Sequence, residues 1–323
     1  MCLMYHDTEQ AAAASSTREP ILPPREEWER LAIKPGSITW ERSADARVFA
    51  AAGTALLLQV AHPTVGAGVS DFSTFREDPW GRLFRTLDFT TVLVFGGPER
   101  AAEMGARIRG FHKVIKGKKA DGTPYHALEP EAYAWVHATL GEGIMAAHAR
   151  FGRPFTLAEA KEFWGEWRAL GRFLGIRWRD LPEDYADYRG WVDEIVNERL
   201  ERTAAVAEVH DALTSTPPPP SPKINERFWG VATKPMLRFA GLSTSGLMPK
   251  PLRERLDLEL TRSQELELRA LGRLARAMTP VMPKFLLNTA PGYMKMRRKQ
   301  IERGDVASPE ANPHVAPLLR ARS

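Results

Sequence analysis

The chain has 323 residues, of which 43% are apolar and 26% charged, with a formal net charge of +5. That balance excludes wholesale disorder, and the length suits one large helical domain or two modest ones, since single cores stop growing near ~250–300 residues. A single cysteine, Cys2, excludes an intrachain disulfide framework and any cysteine-based zinc or iron–sulfur centre. Residues 1–25 are polar and rich in small side chains, and residues 1–34 read as a flexible N-terminal arm. They lack a basic segment followed by an apolar one, so no signal peptide is expected and the expected location is cytoplasmic. Residues 48–61 form an almost uniformly apolar run ending at His62-Pro63, a central buried helix rather than a span, because no stretch approaches the ~18 apolar residues a span needs.

Asp78-Pro79 is a helix start signal, with the carboxylate at the N-cap and proline at the first helical position. That helix carries Trp80, Leu83, Phe84, Leu87, Val92, Val94 and Phe95 and stops at Gly96-Gly97. Pro98 opens the next helix, on which Met104, Ile108, Phe111, His112 and Ile115 recur at three- and four-residue steps. Residues 131–148 repeat the pattern with Trp135, Val136, Thr139, Leu140, Ile144 and Met145. Thr156 and Glu159 have capping-box spacing ahead of Phe163, Trp167, Leu170, Phe173 and Leu174. Two more helices precede Pro217 to Pro222, where four consecutive prolines predict an extended connector over 214–222. A C-terminal helical region follows over 223–298, with a helix at 263–278 and a loose tail over 299–323. Strand-like alternation is scarce, so the fold class is all-α.

Several chemistries lack their motifs. There is no Glu-x-x-His pair, no His-Glu-x-x-His, no Gly-x-Gly-x-x-Gly, no Walker loop and no Gly-x-Ser-x-Gly elbow. The basic clusters at Lys113, Lys116, Lys118, Lys119 and at Lys295, Arg297, Arg298, Lys299 read as solvated surface in preference to a nucleic-acid site. A peripheral membrane contact through 294–298 is a weaker alternative. Of eight histidines, His6 and His314 fall in tails and His126 in a turn. His148 and His210 are expected at helix ends, where a cationic side chain suits the dipole. His62, His112 and His137 remain, all on apolar helices. Each has two readings. His62 caps the last carbonyls of its helix or reaches a pocket; His112 is a hydrogen-bonded core residue or a ligand; His137 is core or pocket. Arg82 and Thr86 share a helix face, and Thr86 has the spacing to bond back to its own helix.

The segments Thr39-Trp40, 56–63, 75–88, Phe95-Gly96, 107–117, Asp121-Gly122, 135–139 and Glu166-Trp167, with a stretch from Leu247 to 298, occur in an order that resembles one family. It groups rubber oxygenase (latex clearing protein) with the oxygenase of the fungal mycophenolic acid pathway. The resemblance implies a large globin-like helical bundle over 35–213 holding haem b, with the C-terminal helices packed on it. It implies His112 as the axial iron ligand. Lys116 stands where the family has the arginine of a His-x-x-x-Arg pattern, and Gly117 stands where it has a second histidine. Arg82 and Thr86 match an Arg-x-x-x-Thr pair. Arg85 occupies the place of a distal lysine, and a guanidinium that stays protonated cannot ligate iron. On this footing the expected cofactor residues are His112, Arg82, Lys116 and His62, and Arg85, Thr86 and His137 are expected to polarise dioxygen. The function implied is a haem-dependent oxygenase or oxidoreductase acting on a small apolar substrate, unsaturated or prenyl-type compounds included. No nucleic-acid partner is implied, and assembly into oligomers is compatible with the sequence. The alternative is a haem-free helical protein that holds a lipid or small hydrophobe.

Overall fold

A nine-residue helix with no polar face leads the chain's architecture. In the computed structural model, which describes residues 21–215, 226–288, 292, 293, 295, 296 and 299, this is α1 (Ala52–Val60), with Gly53 through Val60 all buried. The expected single helix from residue 48 begins instead as a 3-10 turn, Ala46–Ala51, in which the Arg47 N–H donates to the Asp45 carboxylate. At His62 the backbone turns extended, and Pro63 opens α2 (Pro63–Phe72), bent about 103° from the preceding helix. No single described helix is long and apolar enough to cross a membrane.

The start signals at residues 78 and 98 act where the sequence puts them. Asp78 accepts a hydrogen bond from the Gly81 N–H at 2.8 Å and opens α3 (Pro79–Phe95). Gly97, at φ +80°, turns the chain into α4 (Pro98–His112). The helix stops there, against the expectation that its stripe continues to Ile115 and Lys116. A two-stranded antiparallel hairpin follows, β1 (Lys116–Lys118) on β2 (Pro124–His126). Its turn is closed by Asp121, which accepts from the Thr123 N–H, and by Gly122 at φ +83°. Val114, Ile115 and Tyr125 form a small apolar cluster of their own beside Phe111 and Phe72.

Next come α5 (Pro130–Phe151), α6 (Leu157–Leu170), α7 (Tyr185–Glu194) and α8 (Ala204–Ser215). The Thr156–Glu159 capping box is formed by both of its bonds. Beyond them lie α9 (Lys234–Gly246) and α10 (Arg262–Met278), the latter opened one residue earlier than expected by a Thr261–Gln264 box. Of the expected arm over 1–34, residues 1–20 lie outside the described residues, as do most of the 214–222 connector and the tail beyond 299. The rest of that arm is not loose: it holds a short helix, Trp28–Leu31, and buries Leu31 and Ile33 in the main core.

Helix α1 packs against α5, α8 and α9. The contact with α9 is close enough that a Cβ on Gly53 would lie 2.0 Å from Thr244 Oγ1. Beside it, the Thr54 hydroxyl reaches the carbonyls of Ser243 and Thr244 at 3.1 and 2.8 Å. The tryptophans Trp135, Trp164 and Trp167 are fully buried in the main core, where they act as packing residues.

The two histidines expected at helix ends differ. His148 is in the last turn of α5, as expected, but is buried there with Nε2 2.9 Å from the Arg42 carbonyl oxygen, and His210 falls in the middle of α8. Burial lowers both pKa values, which favours the neutral ring over a dipole-matched cation.

Helix α4 is held against the 3-10 turn Gly171–Leu174 at Gly105, where a Cβ would sit 1.9 Å from the Phe173 carbonyl oxygen. Backbone cannot swing aside as a side chain can. Gly105→Ala is therefore expected to lose about 1–3 kcal/mol despite alanine's better helix propensity, measured as the shift of the urea midpoint at constant slope. An unchanged midpoint would show that α4 is not clamped here.

Candidate functional site

Helices α2, α3, α4 and α5 do not close on one another completely. They surround a cavity of about 510 Å³, within the ~300–1,000 Å³ usual for small-molecule and cofactor pockets. Val69, Phe72, Phe89, Leu93, Phe111 and Leu140 make most of its wall apolar, and Gln59 of α1 reaches its floor. Glu77, Asp78 and Arg107 line it while remaining exposed, and so mark its mouth.

His112, the last residue of α4, lines this cavity. Its Nδ1 lies 2.8 Å from the Ile108 carbonyl oxygen. A carbonyl only accepts, so Nδ1 carries the proton and Nε2 has a bare lone pair. No described residue bonds to that nitrogen. The ring keeps some accessible surface only because the cavity adjoins it; protein surrounds it, and burial lowers its pKa, keeping it neutral. Phe111 and Tyr133 stand edge-on to it, with ring centroids at 5.5 and 5.7 Å. The Tyr133 hydroxyl is buried without a hydrogen-bond partner, and burial raises its pKa.

Arg82, Thr86, Phe89, Thr90 and Leu93 put one face of α3 along the opposite wall. The Arg82 guanidinium has no hydrogen bond or ion pair with any described residue. Burial, and then the neighbouring Arg85, lowers its pKa to about 10, so it is still a cation at neutral pH. An unpaired cation in such a place is costly, and an anion entering the cavity would relieve it. Arg85 also lines the cavity, but its guanidinium is held by Thr74 Oγ1 at 3.1 Å and Asp78 Oδ2 at 3.3 Å. Thr86 donates its hydroxyl proton to the Arg82 carbonyl at 3.1 Å, the back-bonded alternative of the two sequence readings.

His137 faces the cavity from α5 but is committed to the core. Its Nε2 donates to the Trp167 carbonyl at 2.8 Å, and Trp167 Nε1 returns a bond to the His137 carbonyl at 3.0 Å. The two rings stack at 5.1 Å. Burial lowers the His137 pKa to about 4. Of the three residues expected to polarise dioxygen, His137 can offer only an acceptor at Nδ1, Thr86 has spent its proton, and Arg85 alone keeps spare N–H donors.

Two expected cofactor residues stand apart from the cavity wall. His62 is the residue before α2, with Nε2 3.4 Å from Glu131 and a buried, unpartnered Nδ1. Lys116 is exposed on β1, because α4 ends before the four-residue step from His112 is completed. Arg109, another candidate cation, is directed to Gly175. Sequence reasoning missed Tyr133 and Phe89. The stagger Tyr133, Val136, His137, Leu140 on α5 and the stagger from Arg82 to Leu93 on α3 were the signals that marked them.

Among the described residues no group of three or more His, Cys, Asp or Glu is placed to hold a metal ion. One free imidazole nitrogen is too few for a metal site built from side chains alone, but it would suit a group that brings its own metal, such as a haem. The other features fit such a group: an apolar chamber of suitable size and an unpaired guanidinium for a propionate.

A sequence model of the family described as ER-bound oxygenase mpaB/B′/rubber oxygenase, catalytic domain, matches residues 40–277, a span that includes every residue of the cavity wall. No curated protein and no solved structure matches the chain.

Two outcomes test this geometry. Replacing Arg82 by methionine removes an unpaired, half-buried charge, so the ligand-free protein is expected to melt higher; a lower melting temperature would mean that the guanidinium has a stabilising partner. For His137, the folded pKa lies below the ordinary value near 6.5. The unfolded chain therefore takes up the proton first, and stability falls as pH drops from about 6.5 toward 4. His137→Gln should flatten that acid limb in melting temperature against pH, and equal slopes would refute the neutral buried ring.

Proposed function

The chain belongs to the family of ER-bound oxygenase mpaB/B′ and rubber oxygenase catalytic domains, and we propose that it is a haem b-dependent oxygenase whose iron is held by His112. Membership makes the protein an oxygenase, an oxidoreductase that takes dioxygen and a substrate. The haem, its ligand and the apolar character of the substrate go beyond membership and rest on the cavity. The observation that carries it is the unpartnered Nε2 of His112 facing an apolar cavity large enough for a tetrapyrrole.

In this reading the Ile108 carbonyl fixes the His112 ring and raises its basicity through the Nδ1 proton. Arg82 pairs with a propionate, which supplies the anion that its guanidinium lacks. Haem, when bound, supplies the dioxygen-activating chemistry. Arg85 is the donor available to orient a polar atom near the mouth, since Thr74 and Asp78 hold it in place. His137 stays neutral and keeps its Nε2 proton on Trp167, so it acts as a rigid wall with an acceptor at Nδ1. The apolar side chains of α2, α3 and α5 exclude water and favour an apolar substrate over a polar one. A globin-like course of helices about the cofactor is part of the same proposal.

A second reading rests on Arg82 as well. An apolar carboxylate could fill the cavity with no porphyrin present, its head group on the guanidinium, which would make the protein a lipid carrier.

Expression with a haem precursor separates the two. The purified protein is expected to show a Soret band that disappears in His112→Ala and returns when free imidazole is added. Full haem occupancy in His112→Ala would remove this residue from the ligand role. A colourless wild type carrying an apolar acid in native mass spectrometry would favour the carrier.

A further inference from the structure

On the far side of α3 from the main cavity lies a second void, of about 100 Å³. It arises where small residues meet: Ala51, Ala52 and Ala55 on one side and Gly143 on the other, with large side chains such as Leu87 and Ile144 around the rim. A Cβ on Gly143 would touch the Ala51 and Ala55 methyl carbons at an ordinary 3.5 Å, so glycine is not demanded by close packing there. None of the lining residues is charged. Its polar tyrosine, Tyr293, has its hydroxyl tied to Asp88 Oδ1 at 2.7 Å and to the Phe84 carbonyl. Ser43 also lines it, with a buried hydroxyl that has no partner, but most of the wall is apolar and favours hydrocarbon; leaving the void empty forfeits dispersion contacts that close-packed interiors normally keep.

Three residues line both spaces: Thr86, Thr90 and Leu140. The Thr86 and Thr90 hydroxyls are donated to the carbonyls of Arg82 and Thr86, at 3.1 and 3.0 Å. With the hydroxyl protons taken up by the helix itself, what remains between the two spaces is mainly methyl groups and one leucine. A leucine changes rotamer readily; a backbone wall does not.

We propose that this annex is the subsite for the hydrocarbon end of a substrate whose polar or reacting part lies at the edge of the main cavity beside Thr86, Thr90 and Leu140, with Leu140 as the door. The inference rests on the reading of the main cavity as an apolar-substrate site. Ala52 and Gly143 set the depth of the annex, and so the length or branching of the tail that fits. The ligand class is an amphiphile or hydrocarbon with a short apolar terminus of a few carbons, and a charged or strongly hydrated terminus is rejected.

The test uses the full chain as purified. Displacement of the fluorescent probe 8-anilinonaphthalene-1-sulfonate by the series 1-butanol through 1-dodecanol reports affinity against chain length. For the wild type, affinity should rise about fourfold per methylene, the factor equivalent to ~0.8 kcal/mol, until the annex is full. Ala52→Leu and Leu87→Phe plug the annex from opposite walls, and their affinities should level off a few carbons earlier. Ile144→Ala should level off later. Ala52→Leu fills existing space, so its melting temperature should equal or exceed the wild type's, which shows that a changed plateau is not damage to the fold. Identical plateaux in the wild type and both plugged variants would overturn the annex alone. If no alcohol displaces the probe from the wild type, the apolar-substrate reading fails, and the annex with it.

Discussion

A short helix buried on all sides has to satisfy its own end groups inside the protein. The last carbonyls of a helix have no partners within it, and at the surface water supplies them. Helix α1 ends in the core, and two other segments supply them there. Trp135 Nε1 donates to the Leu58 carbonyl at 2.8 Å, Thr203 Oγ1 to Val60 at 2.7 Å, and the Glu201 N–H to Ala61 at 2.9 Å. Those bonds fix α5 and the start of α8 relative to α1. The Thr54 bonds to α9 fix the C-terminal region against the same helix. With these neighbours placed, α2 must turn away at Pro63, and the space it leaves beside α3, α4 and α5 is the main cavity.

The cavity combines hydrophobic walls with very few polar atoms, and those few are unevenly satisfied. His137 and Trp167 exchange reciprocal bonds, and Thr86 and Thr90 are absorbed by their own helix. The Arg82 guanidinium, the His112 Nε2 and the Tyr133 hydroxyl are left without partners among the described residues. The Tyr133 hydroxyl is fully buried, whereas Arg82 and His112 are half-buried beside the cavity. Buried orphans occur elsewhere in the fold too, at Thr39 and His62 among others; what marks this chamber is that three polar groups of different kinds line it with no partner among the described residues. The three groups are a Lewis base, a cation and a hydroxyl, a set suited to a metal-bearing, carboxylated macrocycle and equally able to grip an apolar acid.

Much of this was written locally. Asp78-Pro79, Gly96-Gly97-Pro98 and Thr156 with Glu159 each act within four residues of themselves, and the elements they bound appear at those positions. The order of motifs along the chain was enough to indicate the family that the match over 40–277 shows. Where the expectation failed, a non-local contact intervened. Lys116 left the helix because the hairpin carries Ile115 and Tyr125 into their own apolar cluster, and His148 is buried under the Arg42 carbonyl, 106 positions away.

The sequence alone thus determined the class of fold, most helix limits and the candidates, because capping and amphipathic periodicity depend on near neighbours. Residue patterns alone could not rank His62, His112 and His137, three rings on similar apolar helices, although the family resemblance singled out His112. What each ring bonds to only the tertiary structure decided, since the groups facing His62 and His137 come from elsewhere in the chain: Glu131, 69 positions from His62, and the Trp167 carbonyl, 30 from His137. His112 differs by bonding the Ile108 carbonyl of its own helix, which leaves its other nitrogen toward the void. A void is the failure of distant surfaces to meet, and no local pattern of residues encodes it.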